Sequence, residues 1–324
     1  MRLYLIRHGE TVDNVAGLYA GSRDSALTNH GVEQTKRLGD YFVKGSIAFT
    51  HIFASPLTRA FKTAEAIWKA QKDGNAAEIV KVPDLRERDF GQYEGKPYTS
   101  EEKTYNAETQ KQERKTGCQL DGIESGDSLA KRSDSFIDDF LLPLFATDGL
   151  DEEYIVAVVA HGMLLSHFWR RLLLRLPRKH LSIAPEITAA RGNVILEHLG
   201  GWSNTGYLEL DFKHDQRDEV KVLGEASPRP STVDAKYGTE SAPVPPSLKE
   251  DEVVVPVDKG PITTATASKS STHKLVGWST SIIAVDSKQH LVGLKRQRGG
   301  IGSLAHDEGQ KKLDGFFTKR QKMG

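Results

Sequence analysis

The chain has 324 residues, with 44 Lys plus Arg balanced by 44 Asp plus Glu. That length can bury an α/β core without a disulfide or metal, and the balanced charge excludes a global basic field that would attract nucleic acid or an anionic membrane. Cys118 is the only cysteine, which excludes an intramolecular disulfide and a multi-cysteine zinc site and fits a reducing compartment.

Three apolar runs predict buried strands, at residues 3–6, 51–54 and 154–159. Because they lack polar alternation and each precedes a helical pattern, they predict a mainly parallel sheet. After the second run, Ser55 is expected to cap a helix over residues 57–71, with Pro56 in its first turn. No run is long enough to span a bilayer, and the strand directly after Met1 leaves no room for a cleavable signal, so we expect a soluble intracellular protein.

Basic residues follow each of these strands. Arg7 and His8 come after the first, Arg59 lies in the first turn of the helix after the second, and His161 comes after the third. Ligands of open parallel sheets collect at the carboxyl ends of the strands, so these side chains are expected to share one pocket. The helix predicted over residues 163–174 would add backbone N–H groups that favour an anion.

The motifs around these residues occur in a recognisable order: R-H-G-E-T at residues 7–11, S-P-L-T-R-A at 55–60, L-R-E at 85–87 and A-H-G at 160–162. Over about residues 1–212 the chain resembles the histidine phosphatase superfamily, also called phosphoglycerate-mutase-like. The resemblance implies an α/β fold, a three-layer α/β/α sandwich with a mainly parallel sheet.

The residue chemistry and the resemblance together predict a phosphoryl-transfer site. His8 is the expected nucleophile, because a neutral imidazole attacks phosphorus without first losing a proton. Arg7, Arg59 and His161 are expected to bind the phosphate oxygens. The resemblance implies that Glu87 is the general acid and base and that Asn14 donates its amide to phosphate. No Asp/His cluster has the spacing of metal ligands, so no metal or other cofactor is expected.

The reaction class has alternatives. Mutases need a closed, water-poor site with further substrate contacts, and the charged residues 96–119 lack the proline-rich substrate loop of the glycolytic mutases. This favours a phosphoric monoester hydrolase, with a phosphomutase as the alternative. A bifunctional kinase-bisphosphatase is excluded, because no Gly-rich nucleotide loop precedes residue 7.

Composition divides the chain further. Seven of the 13 prolines fall between residues 228 and 261, so residues 1–223 are predicted to form the catalytic domain and residues 224–271 a disordered linker rich in Pro, Ser and Thr. Residues 272–305 form a short basic segment whose structure the sequence leaves open, as either a strand or a docking segment. Residues 306–324 form a tail.

The tail contains a second motif, with the spacing of Gln310, Leu313, Phe316 and Phe317. It resembles a PIP box, the peptide that binds the PCNA-type DNA sliding clamp, and an apolar plug at the end of a polar tail needs a partner pocket. The alternatives are a tail that folds back on the catalytic domain, and a clamp-binding adaptor whose phosphatase-like domain binds its ligand without turnover.

Two basic runs, at residues 295–298 and 319–322, are candidate nuclear import signals. Together with the PIP box they predict a protein of the nucleus, the cytoplasm or both. No fold signature of a sequence-specific nucleic-acid binder is present. The expected partners are therefore a phosphorylated substrate and the sliding clamp, with no membrane.

Overall fold

The computed structural model describes residues 1–71, 77–98, 122–146, 153–192, 194–214, 275–307 and 309. All of these belong to one compact unit. Its centre is a seven-stranded sheet in the order β3-β2-β4-β1-β6-β7-β5. The strands are β1 (Arg2–Arg7), β2 (His51–Ala54), β3 (Ile79–Lys81), β4 (Ile155–Ala160), β5 (Leu181–Ile183), β6 (Tyr207–His214) and β7 (Trp278–Ser287).

The sheet is mainly parallel, as the sequence predicts. Strands β3, β2, β4 and β1 are neighbours that all run the same way. Strand β6 runs antiparallel to both β1 and β7, and β5 is parallel to β7. The carboxyl ends of β1, β2 and β4 therefore meet at one edge of the sheet.

Seven α-helices occur among the described residues. They are α1 (Val12–Ala16), α2 (Asn29–Lys44), α3 (Thr58–Ala70), α4 (Gly126–Phe136), α5 (Leu142–Ala146), α6 (Gly162–Leu173) and α7 (Pro185–Arg191). A π-helical stretch, Ile137–Leu141, joins α4 to α5, and 3-10 turns lie at Pro83–Leu85, Gly91–Tyr93, Arg178–His180, Gln289–Leu291 and Ile301–Ser303. None of these helices is both long and apolar enough to cross a membrane.

Helices cover both faces of the sheet. On β1, Leu3 and Leu5 point into one apolar cluster, which includes side chains of α4 and α6, whereas Tyr4 and Ile6 point into the other, which includes side chains of α2 and α3. Because successive strand residues face opposite sides, an uninterrupted apolar strand needs a helical layer on each. The α/β/α sandwich is confirmed.

The start of α3 differs from the expectation. The helix begins at Thr58 with Leu57 as its cap residue, so Pro56 precedes the first turn. The Ser55 hydroxyl accepts a weak bond from the Leu57 N–H (3.3 Å) and is otherwise directed to His161. The prediction that Ser55 caps α3 was wrong, because the helix begins three residues later and its first N–H, that of Thr58, donates to Asp24 Oδ1 instead.

One strand of the sheet, β7, comes from the part of the chain that follows the proline-rich region. Strand β7 pairs along most of β6, with Ile282 opposite Leu210 and Thr280 opposite Phe212. Residues 275–307, hereafter the C-terminal segment, thus contribute a strand to the same sheet, and this strand lies beyond the boundary predicted at residue 223. The predicted linker (224–271) and the motif residues Gln310, Leu313, Phe316 and Phe317 lie outside the described residues.

Candidate active site

Two histidines lie side by side at the carboxyl edge of the sheet. His8 follows β1, His161 follows β4, and their ring centroids are 5.1 Å apart. Because β1 and β4 are parallel neighbours, with Arg7 opposite Ala160, the residues that follow each strand are brought together. Both side chains are buried, with 4 % of His8 and none of His161 exposed.

The ring of His8 is oriented by its own loop. Its Nδ1 lies 2.7 Å from the Gly9 carbonyl oxygen. A carbonyl can only accept, so Nδ1 carries the proton and Nε2 keeps its lone pair. Burial, with Arg59 and Arg7 nearby, holds the pKa of His8 well below its usual range. The imidazole is therefore neutral, which is the state that a nucleophile requires.

His161 is held by a residue from another strand end. Its Nε2 lies 2.8 Å from the Ser55 hydroxyl, while its buried Nδ1 has no hydrogen-bond partner among the described residues. A serine hydroxyl that donates to Nε2 leaves the proton on Nδ1, which then becomes a donor. Burial, followed by Arg59 and His8, lowers the pKa of His161 well below its usual range.

Two arginines provide the positive charge of the site. Arg59 is 1 % exposed, and its guanidinium donates to the carbonyls of Arg23 (2.6 Å) and Gly21 (2.7 Å). Arg7 donates to the carbonyl of Trp202 (2.6 Å). The Nε atoms of both arginines are buried and unpartnered within the described part of the chain. These bonds fix the two guanidinium groups before any ligand arrives.

The side chain of Glu87 caps the N-terminus of α6 from the loop that follows Pro83–Leu85. Its Oε1 accepts from the Leu164 N–H (3.0 Å) and its Oε2 from the Met163 N–H (3.2 Å). The sequence predicts that this helix N-terminus favours an anion, and the group found there is the carboxyl of Glu87. The helix therefore places Glu87 beside the histidine pair, because α6 begins immediately after His161.

Asn14 lies on α1, which follows the His8 loop (residues 8–11). Its Oδ1 accepts from the Thr11 N–H (3.2 Å) and from Asn204 Nδ2 (3.0 Å). Both bonds use the oxygen, so the amide NH₂ is the part of Asn14 that faces a ligand as a donor. Asn204 also donates to the His8 carbonyl (3.2 Å).

Most of the predicted site residues line one cavity. Its volume is ≈ 520 Å³, and its walls include Arg7, His8, Asn14, Arg59 and Glu87. The remaining walls are largely aromatic and apolar: Tyr19, Phe90, Tyr98, Ile123, Met163 and Trp202. A cavity with both charged and aromatic walls suits a ligand with one anionic end and a larger, less polar body.

The loop that carries Glu87 is braced from α4. Arg132 forms a two-point ion pair with Glu124 (2.7 and 2.8 Å). The same guanidinium donates to the carbonyls of Asp84 and Arg86. Arg132 therefore holds the backbone on the amino-terminal side of Glu87.

Sequence reasoning missed the residues that support the site. Ser55, Asn204 and Trp202 bond directly to His161, His8 and Arg7, and Thr63 accepts from the Gly9 N–H (3.0 Å). Of these residues, only Ser55 could have been identified from the sequence, because it belongs to the S-P-L-T-R-A motif. Among the described residues, no group of three His, Cys, Asp or Glu side chains could hold a metal ion.

Comparison with known proteins agrees with this geometry. The model of the histidine phosphatase superfamily (branch 1) matches residues 3–207. A protein of Schizosaccharomyces pombe described as a probable phosphatase is 34 % identical over 53 % of this chain and 56 % of its own length. The GpmB protein of Erwinia tasmaniensis, described as a probable phosphoglycerate mutase, is 30 % identical over 51 % and 71 %, respectively.

A third relative is described as a broad-specificity phosphatase of Saccharomyces cerevisiae. It is 35 % identical over 32 % of this chain and 44 % of its own length. This chain spans about half the length of the curated relatives it matches.

Proposed function

The chain belongs to the histidine phosphatase superfamily (branch 1), and from that membership we propose that it hydrolyses phosphoric monoesters through a phosphohistidine intermediate. The observation that carries the proposal is the pair of buried, neutral histidines beside Arg7 and Arg59. Relatives described as phosphatases support the same reaction class.

In the first step, His8 Nε2 attacks phosphorus and the bond to the leaving oxygen breaks. Arg7, Arg59 and the Nδ1–H of His161 donate to the non-bridging oxygens, where negative charge is concentrated. The unpartnered buried Nε and Nδ1 atoms support this role. A buried donor without a partner costs about 1–3 kcal/mol, and a phosphoryl oxygen removes that cost.

Glu87 protonates the leaving oxygen. In the second step the resulting carboxylate takes a proton from water, the water oxygen bonds to phosphorus, and the N–P bond to His8 breaks. His8 returns to its neutral form and inorganic phosphate leaves. Asn14 donates its amide to the phosphoryl group. No step requires a metal ion, so we propose a metal-independent reaction.

The test is hydrolysis of a panel of phosphorylated metabolites, nucleotides and phosphopeptides by wild type and His8→Ala in the presence of EDTA. We expect His8-dependent release of phosphate, with a loss of about 10⁴-fold or more in kcat when the nucleophile is removed. Full activity in His8→Ala would contradict the assignment of His8.

A phosphomutase is the second candidate, favoured by the relative described as a phosphoglycerate mutase. The two reactions share the phosphohistidine and differ in the acceptor. Labelled phosphoenzyme mixed with water and with a candidate alcohol acceptor separates them: we expect inorganic phosphate as the main product. A phosphorylated acceptor as the main product would establish the mutase.

We further propose that the tail binds a PCNA-type sliding clamp and brings the catalytic domain to it in the nucleus. This proposal depends on the sequence spacing of Gln310, Leu313, Phe316 and Phe317. Replacing Phe316 and Phe317 with alanine is expected to abolish binding in a titration with purified clamp, because aromatic anchors supply most of such an interface. Turnover should stay unchanged, and unchanged affinity would rule out the motif.

A further inference from the structure

The C-terminal segment contacts the backbone that carries His8, although it lies beyond the part of the chain that matches the superfamily, residues 3–207. Three of its side chains reach this region: Asp286, His290 and Arg296. Asp286 accepts from the backbone N–H and the hydroxyl of Ser203, each at 2.8 Å. It thus holds the start of the turn at residues 203–206, which precedes β6 and lies against the end of β1.

His290 holds the next part of that turn. Thr205 has a φ of +56°, which is costly for a threonine, and its N–H donates to the carbonyls of Arg7 (3.1 Å) and His8 (3.2 Å). Its hydroxyl donates to the Asn204 carbonyl (2.7 Å), so that hydroxyl can only accept from His290 Nε2 at 2.8 Å. His290 therefore donates a fixed bond to a strained residue that contacts the nucleophile's backbone.

Arg296 holds the other end of the His8 loop. Its guanidinium forms a two-point ion pair with Glu10, through Nη1 to Oε1 (2.7 Å) and through Nη2 to Oε2. Burial raises the pKa of Glu10, but Arg296 and Thr28 outweigh it and hold that pKa below its usual range. The Glu10 side chain is 12 % exposed and that of Arg296 is 39 % exposed, so the pair is partly shielded from solvent.

The backbone of the segment adds a third attachment. The Leu304 carbonyl accepts from the Asn29 N–H (3.0 Å), and the His306 N–H donates to the Leu27 carbonyl (2.9 Å). These bonds hold the N-terminus of α2, which packs against Glu10. An added Cβ on Gly31 would lie 2.1 Å from the Glu10 carbonyl oxygen, so helix and loop are in direct contact.

We propose that the C-terminal segment positions the nucleophile, with His290 and Arg296 as positioning residues that act through Thr205 and Glu10. Neither side chain lines the cavity. They fix the backbone on both sides of His8, so that Nε2 lies in line with the phosphorus when the transition state forms. This inference depends on the proposed phosphoryl transfer, because it assigns the nucleophile to His8.

The experiment compares Arg296→Met with Arg296→Lys, using full-length protein and p-nitrophenyl phosphate as substrate. Lys295→Met is the matched control, since Lys295 belongs to the same basic run and is exposed. We expect Arg296→Met to lower kcat about tenfold with little change in KM, because small displacements of a reacting group have large kinetic effects. Arg296→Lys should recover part of the loss, and Lys295→Met should match wild type.

His290→Leu and His290→Gln form a second pair. The glutamine amide can donate to Thr205 from a position near that of Nε2, whereas leucine cannot donate. We expect the leucine variant to lose more kcat than the glutamine variant. Equal kcat in all five variants, with only a lower melting temperature, would overturn the proposal and leave the segment a purely stabilising role.

Titration with orthovanadate and with inorganic phosphate separates positioning from turnover. Vanadate adopts the five-coordinate geometry of the transition state, so Arg296→Met should weaken vanadate binding about tenfold and leave phosphate binding nearly unchanged. If wild type hydrolyses no phosphomonoester yet shows this pattern, the proposed hydrolysis fails, whereas phosphoryl transfer to His8 and its positioning by the segment stand, as in a phosphomutase. A wild type that binds neither anion would overturn both.

Discussion

Two regions contribute to the site around His8 in different ways. One consists of the loops that follow the parallel strands β1 to β4, and the other is the C-terminal segment. The loops supply the groups that face the cavity, such as His8 and Glu87, and they are encoded in short motifs next to strands. The segment supplies His290 and Arg296, which reach the site only through contacts that span 85 and 286 positions of the chain. Groups that face the cavity can thus be encoded locally, whereas the residues that hold them in place come from distant parts of the fold.

Replacing Glu87 in the loop after β3 should change the turnover rate more than any other substitution below. Glu87→Gln removes the proposed proton donor, and we expect kcat for an alkyl phosphate such as glycerol 3-phosphate to fall by about 10³-fold. For p-nitrophenyl phosphate the loss in phosphoryl transfer to His8 should be much smaller, because that leaving group needs no proton. Single-turnover kinetics with both substrates measures this difference. An equal loss with both would mean that Glu87 acts in another way.

The second prediction concerns the segment. Burial lowers the pKa of His290 to about 4, from 6.5 in an exposed chain. Between these values the unfolded state binds the proton and the folded state does not, so the contribution of His290 to stability is present above pH 6.5 and lost as the pH falls toward 4. Over that range the free energy of unfolding of wild type should fall by roughly 3 kcal/mol more than that of His290→Gln.

Urea unfolding of both proteins at several pH values between 7 and 4 provides the measurement. The difference between the two curves removes the contributions of other titrating groups, including His8, His161 and Glu10, which both proteins share. Parallel curves would show that His290 is solvated in the folded state, and would remove it from the proposed positioning role.

Much of the part of the fold that carries the cavity could be predicted from the sequence. The three apolar runs identify β1, β2 and β4, and the residues after each one meet because parallel neighbours end at one edge. The role of Ser55 could not be predicted, because a serine before a helix favours a cap until the position of His161 is known. The C-terminal segment could not be placed either, since the partner of β7 is a strand more than 60 residues away.

The third prediction tests the contact between the His8 loop and α2. Gly31→Ala on α2 would normally stabilise a helix by about 1 kcal/mol. Here the new Cβ meets the Glu10 carbonyl at 2.1 Å, and backbone cannot move aside cheaply, so we expect a net loss of about 2 kcal/mol in the free energy of unfolding. Gly45→Ala at the end of the same helix has no contact closer than 3.5 Å and serves as the control.

A modest change in kcat should separate two roles of the Ser55 hydroxyl. As a helix cap, Ser55 would affect mainly stability; as the partner of His161, it affects the transition state. Because the His161 bond is the shorter one, at 2.8 Å against 3.3 Å to Leu57, we expect Ser55→Ala to lower kcat about fivefold, near 1 kcal/mol. Ser55→Thr keeps the hydroxyl and should retain more activity. If Ser55→Ala has unchanged kcat and lower stability, Ser55 acts as a helix cap and its bond to His161 has no effect on turnover.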